Sequence, residues 1–247
     1  MSAPADTSNL PSTAVVPAQG TLLRAGSTPF NTYDGIVVYE QHCWTKAGTR
    51  RGPGPRPVEG VVVGFHTFDP AKADRLDDES RYRFLSRDEL VAALGADADA
   101  TVVDLGSGTG FYTDDVAPHV GTVHAVDVQP EMHDQYRERG VPENVELVAA
   151  EAGDVPLPDD CADAVFSTMT YHEFGSPESA AESARLLRPG GRVVHADWSA
   201  AADGVDGPSV EERYAATDAV DALTNAGFEI LRAEERPETF LVVAERR

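Results

Sequence analysis

The chain has 247 residues, of which 41% are hydrophobic and 25% are charged. This composition supports one large folded domain and excludes a wholly disordered chain. No apolar stretch approaches the roughly 20 residues that span a bilayer, and the N-terminus lacks the basic and apolar regions of a signal peptide. We therefore expect no membrane association and a cytoplasmic location. Cys43 and Cys161 have no metal-ligand spacing, so we expect neither a disulfide framework nor a metal site.

Acidic residues exceed basic ones, giving a formal net charge of −22. Such a charge disfavours nucleic acid as a partner, because a polyanion is repelled in ordinary buffer. Only Lys46 and Lys72 are lysines among the 20 basic residues. An acidic, lysine-poor surface resembles that of haloarchaeal proteins, which work in molar salt where self-repulsion is screened. An ordinary acidic protein is the alternative interpretation.

The first 60 residues differ in composition from the rest of the chain. They carry a net charge of +1 and hold seven of the 17 prolines, so the remaining residues carry −23. The Pro-rich and Gly-rich run at 50–57 is incompatible with a helix or a central strand, and only residues 36–39 favour a short strand. We expect a disordered extension or a gene start assigned too early at 1–60, and a folded domain at 61–247. A basic tail that binds a partner is a further interpretation.

From residue 85 onward the sequence predicts alternating helices and strands. Ser86 and Glu89 form a capping-box pattern, Leu85 and Leu90 occupy the staple positions, and Gly95 ends the helix. Further helices are predicted at 130–139, 176–187 and 216–225, and strands at 101–105, 122–127, 145–149, 164–168, 192–197, 228–233 and 239–244. This order indicates an α/β fold with a doubly wound, mostly parallel sheet, and the short connection at 234–238 makes the last two strands antiparallel.

A glycine-rich loop follows the first predicted strand. Gly106, Gly108 and Gly110 alternate with other residues, which permits a tight turn and a close approach of the backbone to a ligand. A dinucleotide fingerprint requires its third glycine at 111, where the chain has Phe111. Asp104 lies two residues before the loop. Its negative charge would repel a pyrophosphate there, whereas it would attract an ammonium group.

Acidic residues also follow the second and third predicted strands. Asp127 lies 21 residues beyond Gly106, the distance at which an acid accepts both hydroxyl protons of a ribose. Glu151 follows the third strand, where its carboxylate can accept from an adenine amino group.

These motifs, taken together and in order, resemble class I S-adenosylmethionine-dependent methyltransferases over residues 66–247. Residues 102–110 (VVDLGSGTG) resemble the first motif of that family, Asp127 its second-strand acid, 151–160 its adenine-side segment and 187–192 its turn before strand five. The resemblance implies S-adenosyl-L-methionine as cofactor and a seven-stranded sheet whose last strand is antiparallel and inserted between strands five and six. The cofactor contacts that it implies are Asp104, Gly106, Ser107, Gly108, Gly110, Asp127, Val128, Glu151, Ala152 and Thr168.

The expected activity is methyl transfer to a small molecule, which leaves S-adenosylhomocysteine. The loop after strand four lacks the Asn-Pro-Pro-Tyr type motif of amino-methylating nucleic-acid enzymes, and Asp197 has no matching acid directly after strand four with which to hold a metal. A protein or RNA acceptor, aminopropyl transfer, and a regulatory module that binds the cofactor without turning it over remain alternatives. The sequence does not indicate an oligomeric state.

His172 and Tyr171, in the loop after strand four, are the predicted catalytic residues. Packing within a turn is the alternative for both, and Glu173 either orients His172 or caps the next turn. Trp198 is expected either to line the substrate pocket or to cover a sheet edge. His66, Asp69, Arg81, Tyr82 and Arg83 precede the predicted core and form either a lid over the cofactor or solvated surface.

Overall fold

The structure, a computed structural model, describes residues 68–247, apart from the side chain of Asp74. The expectations for residues 1–60, for the strand at 36–39 and for His66 lie outside the described residues.

A single seven-stranded sheet of order β3-β2-β1-β4-β5-β7-β6 organises the described residues. Strands β1 to β5 pair in parallel, whereas β7 pairs antiparallel with both β5 and β6. The strands are β1 Thr101–Leu105, β2 Thr122–Asp127, β3 Val145–Ala149, β4 Ala162–Thr168, β5 Leu187–Trp198, β6 Phe228–Glu235 and β7 Thr239–Arg246. The predicted doubly wound α/β sheet, with its last strand inserted between β5 and β6, is confirmed.

Six α-helices accompany these strands within residues 68–247. They are α1 Arg87–Leu94, α2 Phe111–Val116, α3 Pro130–Arg139, α4 Tyr171–Phe174, α5 Pro177–Leu186 and α6 Ala216–Asn225, and short 3-10 helices occupy Pro70–Asp77, Glu79–Arg83, Ala117–His119 and Val210–Glu212. In this described part of the chain, no helix is long and apolar enough to cross a membrane.

The central strands of the sheet are buried on both faces, which explains the continuous apolar runs in their sequence. Val102 and Phe166 belong to a hydrophobic cluster on one face, whereas Val103 and Val165 belong to a cluster on the other. Because side chains alternate between the faces of a strand, a strand covered by helices on both sides requires apolar residues at consecutive positions.

The N-terminus of α1 forms only half of the predicted capping box. Ser86 Oγ accepts a hydrogen bond from the Glu89 backbone N–H at 3.3 Å. The Glu89 carboxylate instead accepts from the guanidinium groups of Arg232 and Arg236 at 3.0 and 2.6 Å. It thereby joins α1 to β6 and the turn that follows.

Strand β5 begins five residues earlier than predicted. Ala162 of β4 pairs with Leu187, and Ala164 pairs with Arg192, so the residues between Leu187 and Arg192 loop out of register. Gly190 has a φ of +82°, and no atom lies within 4 Å of the place that a Cβ would occupy. Glycine adopts this backbone conformation at no steric cost, which allows the bulge. The predicted turn therefore lies within the strand.

Candidate functional site

A cavity of about 520 Å³ lies where the parallel strands β1, β2 and β4 end. The residues that directly follow these strands form one wall, the two 3-10 helices between residues 70 and 83 form the opposite wall, and residues 206–208 contribute a third side. Ligands of doubly wound sheets bind beyond the carboxyl ends of the strands. The volume falls in the usual range for small-molecule sites, roughly 300–1,000 Å³.

The glycine loop after β1 forms the floor of this cavity. Gly108 has a φ of +55°, and a Cβ there would meet only the end of the Leu76 side chain, at 3.3 Å. Gly106 has a φ of +77°, and a Cβ there would lie 2.4 Å from Thr170 Cγ2 in the loop after β4. The backbone at 108 is therefore open to a ligand, whereas Gly106 is needed for the close packing of two loops.

Asp127, the last residue of β2, lines the cavity beside the glycine loop. Its Oδ2 accepts from the Gly108 N–H at 2.8 Å, and its Oδ1 accepts from the Gln129 N–H at 2.9 Å. Burial raises the pKa of the carboxyl group, and these two backbone hydrogen bonds only partly offset the rise. Each oxygen keeps a lone pair, so the side chain can accept from two further hydroxyl groups.

Asp104 lies behind the glycine loop and is almost fully buried. Its Oδ2 accepts from Thr113 Oγ1 at 2.6 Å, whereas its Oδ1 has no hydrogen-bond partner among the described residues. Burial, and secondarily the charge of Asp127, raise the pKa of Asp104 to about 7, against the opposing hydrogen bond from Thr113. An unpaired buried acceptor at this point favours a cationic donor.

His172 forms a close pair with a buried carboxylate. Its Nδ1 lies 2.9 and 3.1 Å from the two carboxylate oxygens of Asp197, and its backbone N–H donates to Asp197 Oδ2 at 2.5 Å. Asp197 is 0% exposed and also accepts from the Trp198 N–H at 2.7 Å. The imidazole is therefore held at one nitrogen, and its Nε2 is the nitrogen available for proton transfer.

The electrostatic environment of His172 is set by its acidic neighbours. Burial lowers the pKa of His172, but the hydrogen bond with Asp197 and the charges of Asp197 and Glu173 outweigh burial, so the pKa is raised. Glu173 Oε1 lies 3.9 Å from His172 Nε2. Burial raises the pKa of Glu173 to about 7, and His172 opposes that rise.

Aromatic side chains line another part of the cavity. The rings of Phe84 and Trp198 meet edge to face with centroids 4.6 Å apart. Residues 206–208 close over the indole, since a Cβ at Gly207 would lie 2.4 Å from Trp198 Cδ2. A hydrogen-bonded ion pair between Arg83 and Asp206, at 2.5 Å, connects this segment to the 3-10 wall.

The structure brings half of the predicted cofactor contacts to the cavity. Gly106, Ser107, Gly108, Asp127 and Thr168 line it. Asp104 lies directly behind the loop, and Gly110 packs against the Tyr136 ring, which a Cβ at Gly110 would approach to 2.1 Å. Val128 and Glu151 are exposed and Ala152 packs at the edge of the core, all three outside the cavity lining. For these last three residues, cofactor contact stays a prediction.

The expectation that Tyr171 faces the reacting group is wrong. The Tyr171 side chain is 3% exposed, and its ring packs against His195, Tyr214 and Phe240 in the core on one face of the sheet. Burial raises its pKa to about 12. The one-turn helix α4 points Tyr171 and His172 in different directions, because consecutive helical residues are about 100° apart.

Of the five residues considered as a lid, Asp69, Arg81 and Arg83 line the cavity, whereas Tyr82 packs on Phe111 with ring centroids 4.9 Å apart. Trp198 lines the cavity, as one of its two interpretations expected.

Sequence reasoning missed the partnership of His172 with Asp197. His172 lies in the loop after β4, Asp197 lies near the end of β5, and these two strands are neighbours in the sheet. The sequence therefore contained a signal that the two residues lie at the same edge. The sequence pattern suggested only a metal-binding role for Asp197, and the pairing of the two side chains depends on the turn of α4.

Comparison with known proteins identifies the family. A family described as a methyltransferase domain matches residues 103–195. A crystal structure of a SAM-dependent methyltransferase from Aquifex aeolicus shares 32% sequence identity at a TM-score of 0.67, covering 73% of this chain and 100% of that one. The chain belongs to the S-adenosylmethionine-dependent methyltransferases. It is an enzyme that uses S-adenosylmethionine as cofactor.

Two curated methyltransferase relatives are similar over part of their length. A methyltransferase-like protein of Schizosaccharomyces pombe is 31% identical over 132 residues, or 53% of this methyltransferase and 51% of the yeast protein. The chain thus spans about half the length of that relative. A ubiquinone/menaquinone biosynthesis C-methyltransferase of Ectopseudomonas mendocina is 29% identical over 176 residues, 67% of this chain and 68% of that protein.

The residues of the methyltransferase cavity fit the cofactor. Asp104 Oδ1 and Ser107 Oγ are buried polar atoms without hydrogen-bond partners among the described residues, and the open backbone at Gly108 leaves space beside them. Residues 68–247 contain no group of three or more His, Cys, Asp or Glu side chains arranged to hold a metal ion.

Proposed function

We propose that this methyltransferase transfers a methyl group to a small-molecule acceptor whose nucleophilic atom arrives protonated, and that His172 removes the proton. The pairing of His172 with the buried carboxylate of Asp197, at the cavity wall, carries this proposal. A histidine held at Nδ1 by a carboxylate is a recurrent arrangement for a general base, because the carboxylate fixes the ring and stabilises its protonated form.

The bound cofactor supplies a methyl group already activated by its positively charged sulfur. With the cofactor bound, the acceptor atom would form its bond to the methyl carbon as the carbon–sulfur bond breaks, and the electron pair of that bond would stay on the sulfur of S-adenosylhomocysteine. The acceptor's proton passes to His172 Nε2, and from there to solvent. A hydroxyl group or an activated ring carbon needs this help, whereas a thiolate or a tertiary amine needs little.

The cavity supports a small acceptor. Phe84, Met169 and Trp198 give part of it an apolar lining, and such side chains bind small, partly apolar ligands by burial. The net charge of −22 argues against RNA. The similar C-methyltransferase from Ectopseudomonas mendocina is named for ubiquinone and menaquinone biosynthesis, which supports a metabolite, and not a macromolecule, as acceptor.

Within this proposal, several of the predicted cofactor contacts have distinct roles. Asp127 accepts from the ribose hydroxyl groups, Asp104 attracts the cofactor's ammonium group, and the backbone of the loop at 106–108 approaches its amino-acid part. Glu151 accepts from the adenine amino group beyond the cavity.

Incubation of the enzyme with methyl-labelled S-adenosylmethionine tests the acceptor class. The label should pass to the small-molecule fraction of a metabolite extract, and mass spectrometry should then locate the added methyl group on one compound. An Asp127→Ala variant provides the background control. Labelling confined to protein or RNA fractions would overturn the small-molecule proposal, and binding of the cofactor without transfer to any fraction would favour the regulatory alternative.

A further inference from the structure

Arg81 is a cation in the cavity wall that has no carboxylate partner among the described residues. Its Nη1 donates to the Leu76 carbonyl oxygen at 2.5 Å, and its guanidinium carbon lies 5.0 and 5.1 Å from the ring centroids of Phe111 and Tyr112. These contacts hold the side chain in place and leave several of its five N–H donors without a partner in residues 68–247.

The other cations of the same wall differ from Arg81. Arg83 is paired with Asp206 at 2.5 Å and Lys72 with Asp69 at 3.3 Å, while Arg75 is exposed to solvent. Burial lowers the pKa of Arg81, against the opposing charges of Tyr112, Asp77 and Asp104. Arg81 is partly buried, and neither Asp77 nor Asp104 forms an ion pair with it. Its free N–H donors at the cavity wall therefore favour an anionic ligand.

Two further polar groups lie in or directly behind the glycine loop that lines the cavity. Ser107 Oγ, in the glycine loop, is buried without a hydrogen-bond partner among the described residues, as is Asp104 Oδ1 behind the loop. Arg81 lies beside this loop, because its guanidinium stacks on Phe111 and its carbonyl oxygen accepts from the Tyr112 hydroxyl group at 3.2 Å, and both aromatic residues directly follow Gly110. The glycine loop is therefore flanked by a cation on the cavity wall and an anion beneath, the arrangement that complements an ammonium group and a carboxylate carried by one ligand.

We propose that Arg81 binds the α-carboxylate of S-adenosylmethionine, with Ser107 Oγ as a second donor, and that it makes the enzyme select the carboxylate-bearing cofactor over its decarboxylated form. A planar guanidinium can donate two parallel hydrogen bonds to a carboxylate, which gives both strength and geometric selection. This role separates methyl transfer from aminopropyl transfer, which consumes the decarboxylated cofactor. The inference rests on the cofactor and not on the identity of the acceptor.

Calorimetry with ligands that differ in their amino-acid part tests the inference. Arg81→Met should weaken S-adenosylhomocysteine binding by about 10- to 100-fold, the effect of losing hydrogen bonds between charged groups. The same variant should bind 5′-methylthioadenosine, which lacks the amino-acid part, within about threefold of the unmodified enzyme. Arg81→Lys, which keeps the charge without the planar fork, should give an intermediate loss for S-adenosylhomocysteine alone.

Arg87→Met is the matched control, since Arg87 lies in the same region, is paired with Asp115 at 2.7 Å and does not line the cavity. It should leave both affinities unchanged. Equal losses for both ligands in Arg81→Met would show that Arg81 only supports the wall, and unchanged affinities would also overturn the inference.

The unmodified enzyme gives a second measurement should Arg81→Met fail to fold. It should bind S-adenosylmethionine at least about tenfold more tightly than decarboxylated S-adenosylmethionine. Equal affinities for the two would refute a role for Arg81 in reading the carboxylate.

Discussion

At the scale of single residues, four of the carboxyl groups at the site lie in very different surroundings. Asp197 is paired with His172, Asp127 accepts two backbone N–H groups, Glu173 lies near the imidazole, and Asp104 keeps an oxygen without a partner among the described residues. The pKa values of Asp104 and Glu173 are raised to about 7. Burial thus disfavours the charged form of both carboxyl groups, and a cation bound beside either one would favour its charged form.

Replacement of His172 tests its role as a base. His172→Gln should lower turnover by about 10²–10⁴-fold while S-adenosylhomocysteine affinity stays within a few fold, because a general base acts in the transition state. In the unmodified enzyme, turnover should rise with pH through the pKa of His172, which is raised from its ordinary value, since only the neutral imidazole accepts a proton.

Asp197→Asn provides the matching variant. It removes the charge that stabilises protonated His172, so the acid limb of the pH profile should move to lower pH as maximal turnover falls. A limb that stays in place in Asp197→Asn, or full activity in His172→Gln, would contradict the assignment. Steady-state kinetics across the range from mildly acidic to mildly alkaline pH measures both outcomes once an acceptor is known.

The ribose assignment of Asp127 makes a second prediction. Asp127→Asn should weaken S-adenosylhomocysteine binding by about 1.5–3 kcal/mol. The amide is uncharged, so its hydrogen bond to the ribose is weaker, and its NH₂ group cannot accept from the Gly108 N–H as Oδ2 does. Asp134→Asn, which changes an exposed acid paired with Arg137, should have no effect. Calorimetry in high salt measures both, and an unchanged affinity in Asp127→Asn would remove the ribose assignment.

At the scale of elements, the sequence predicted most helices and strands because their signals are local. The N-cap at Ser86, the proline that begins α3 and the apolar runs of β1 and β2 each depend on a few adjacent residues. The 3-10 helices between residues 70 and 83 were not predicted, because they are held by distant contacts, such as that of Thr109 Oγ1 with Asp77 at 2.8 Å.

The part of the site that directly follows the strands was likewise predictable from local sequence signals. The glycine loop directly follows β1 and Asp127 is the last residue of β2, and spacing in the sequence was enough to locate both. The direction of Tyr171 into the core, and the contact of Arg81 with the cavity, depend on how distant segments pack. No spacing within the sequence encodes either of them.

The glycine loop illustrates how one motif serves two elements. Gly110 begins α2 at a φ of +90°, and a Cβ there would lie 2.1 Å from the Tyr136 ring of α3. Tyr136 is fully buried, and its hydroxyl group donates to Asp114 at 2.5 Å, so the ring has little freedom to move. The third glycine of the motif therefore allows the start of α2 to pack closely against α3.

Substitution of Gly110 should consequently reduce stability. Gly110→Ala adds both backbone strain and overlap with Tyr136, and we expect it to lower the free energy of unfolding by about 2–4 kcal/mol. Gly227→Ala is the control, since Gly227 has a similar φ of +94° and nothing within 4 Å of the added Cβ. It should cost only the backbone strain, about 1–2 kcal/mol. Denaturant unfolding measures the difference, and equal losses would show that contact with Tyr136 is unimportant.

At the scale of the whole molecule, charge is the dominant feature. The net charge of −22 is only partly compensated by local networks such as Glu89 and Glu234 with Arg232 and Arg236. Salt weakens these attractive pairs and the general repulsion together. Because acidic residues outnumber basic ones 42 to 20, the repulsion is the larger effect, and salt should stabilise the fold.

The melting temperature should therefore climb steeply between about 0.1 M and 1 M sodium chloride, over which the screening length falls from about 10 Å to about 3 Å. A triple variant separates charge screening from other effects of salt. Glu138→Gln, Glu143→Gln and Asp221→Asn alter exposed acids that form no ion pair within residues 68–247. The variant should melt at a higher temperature than the unmodified chain at the lower salt concentration, and the gap should close at the higher one, because screening leaves less repulsion to relieve. A flat salt profile in the unmodified chain, or a gap that persists in high salt, would contradict self-repulsion as the cause.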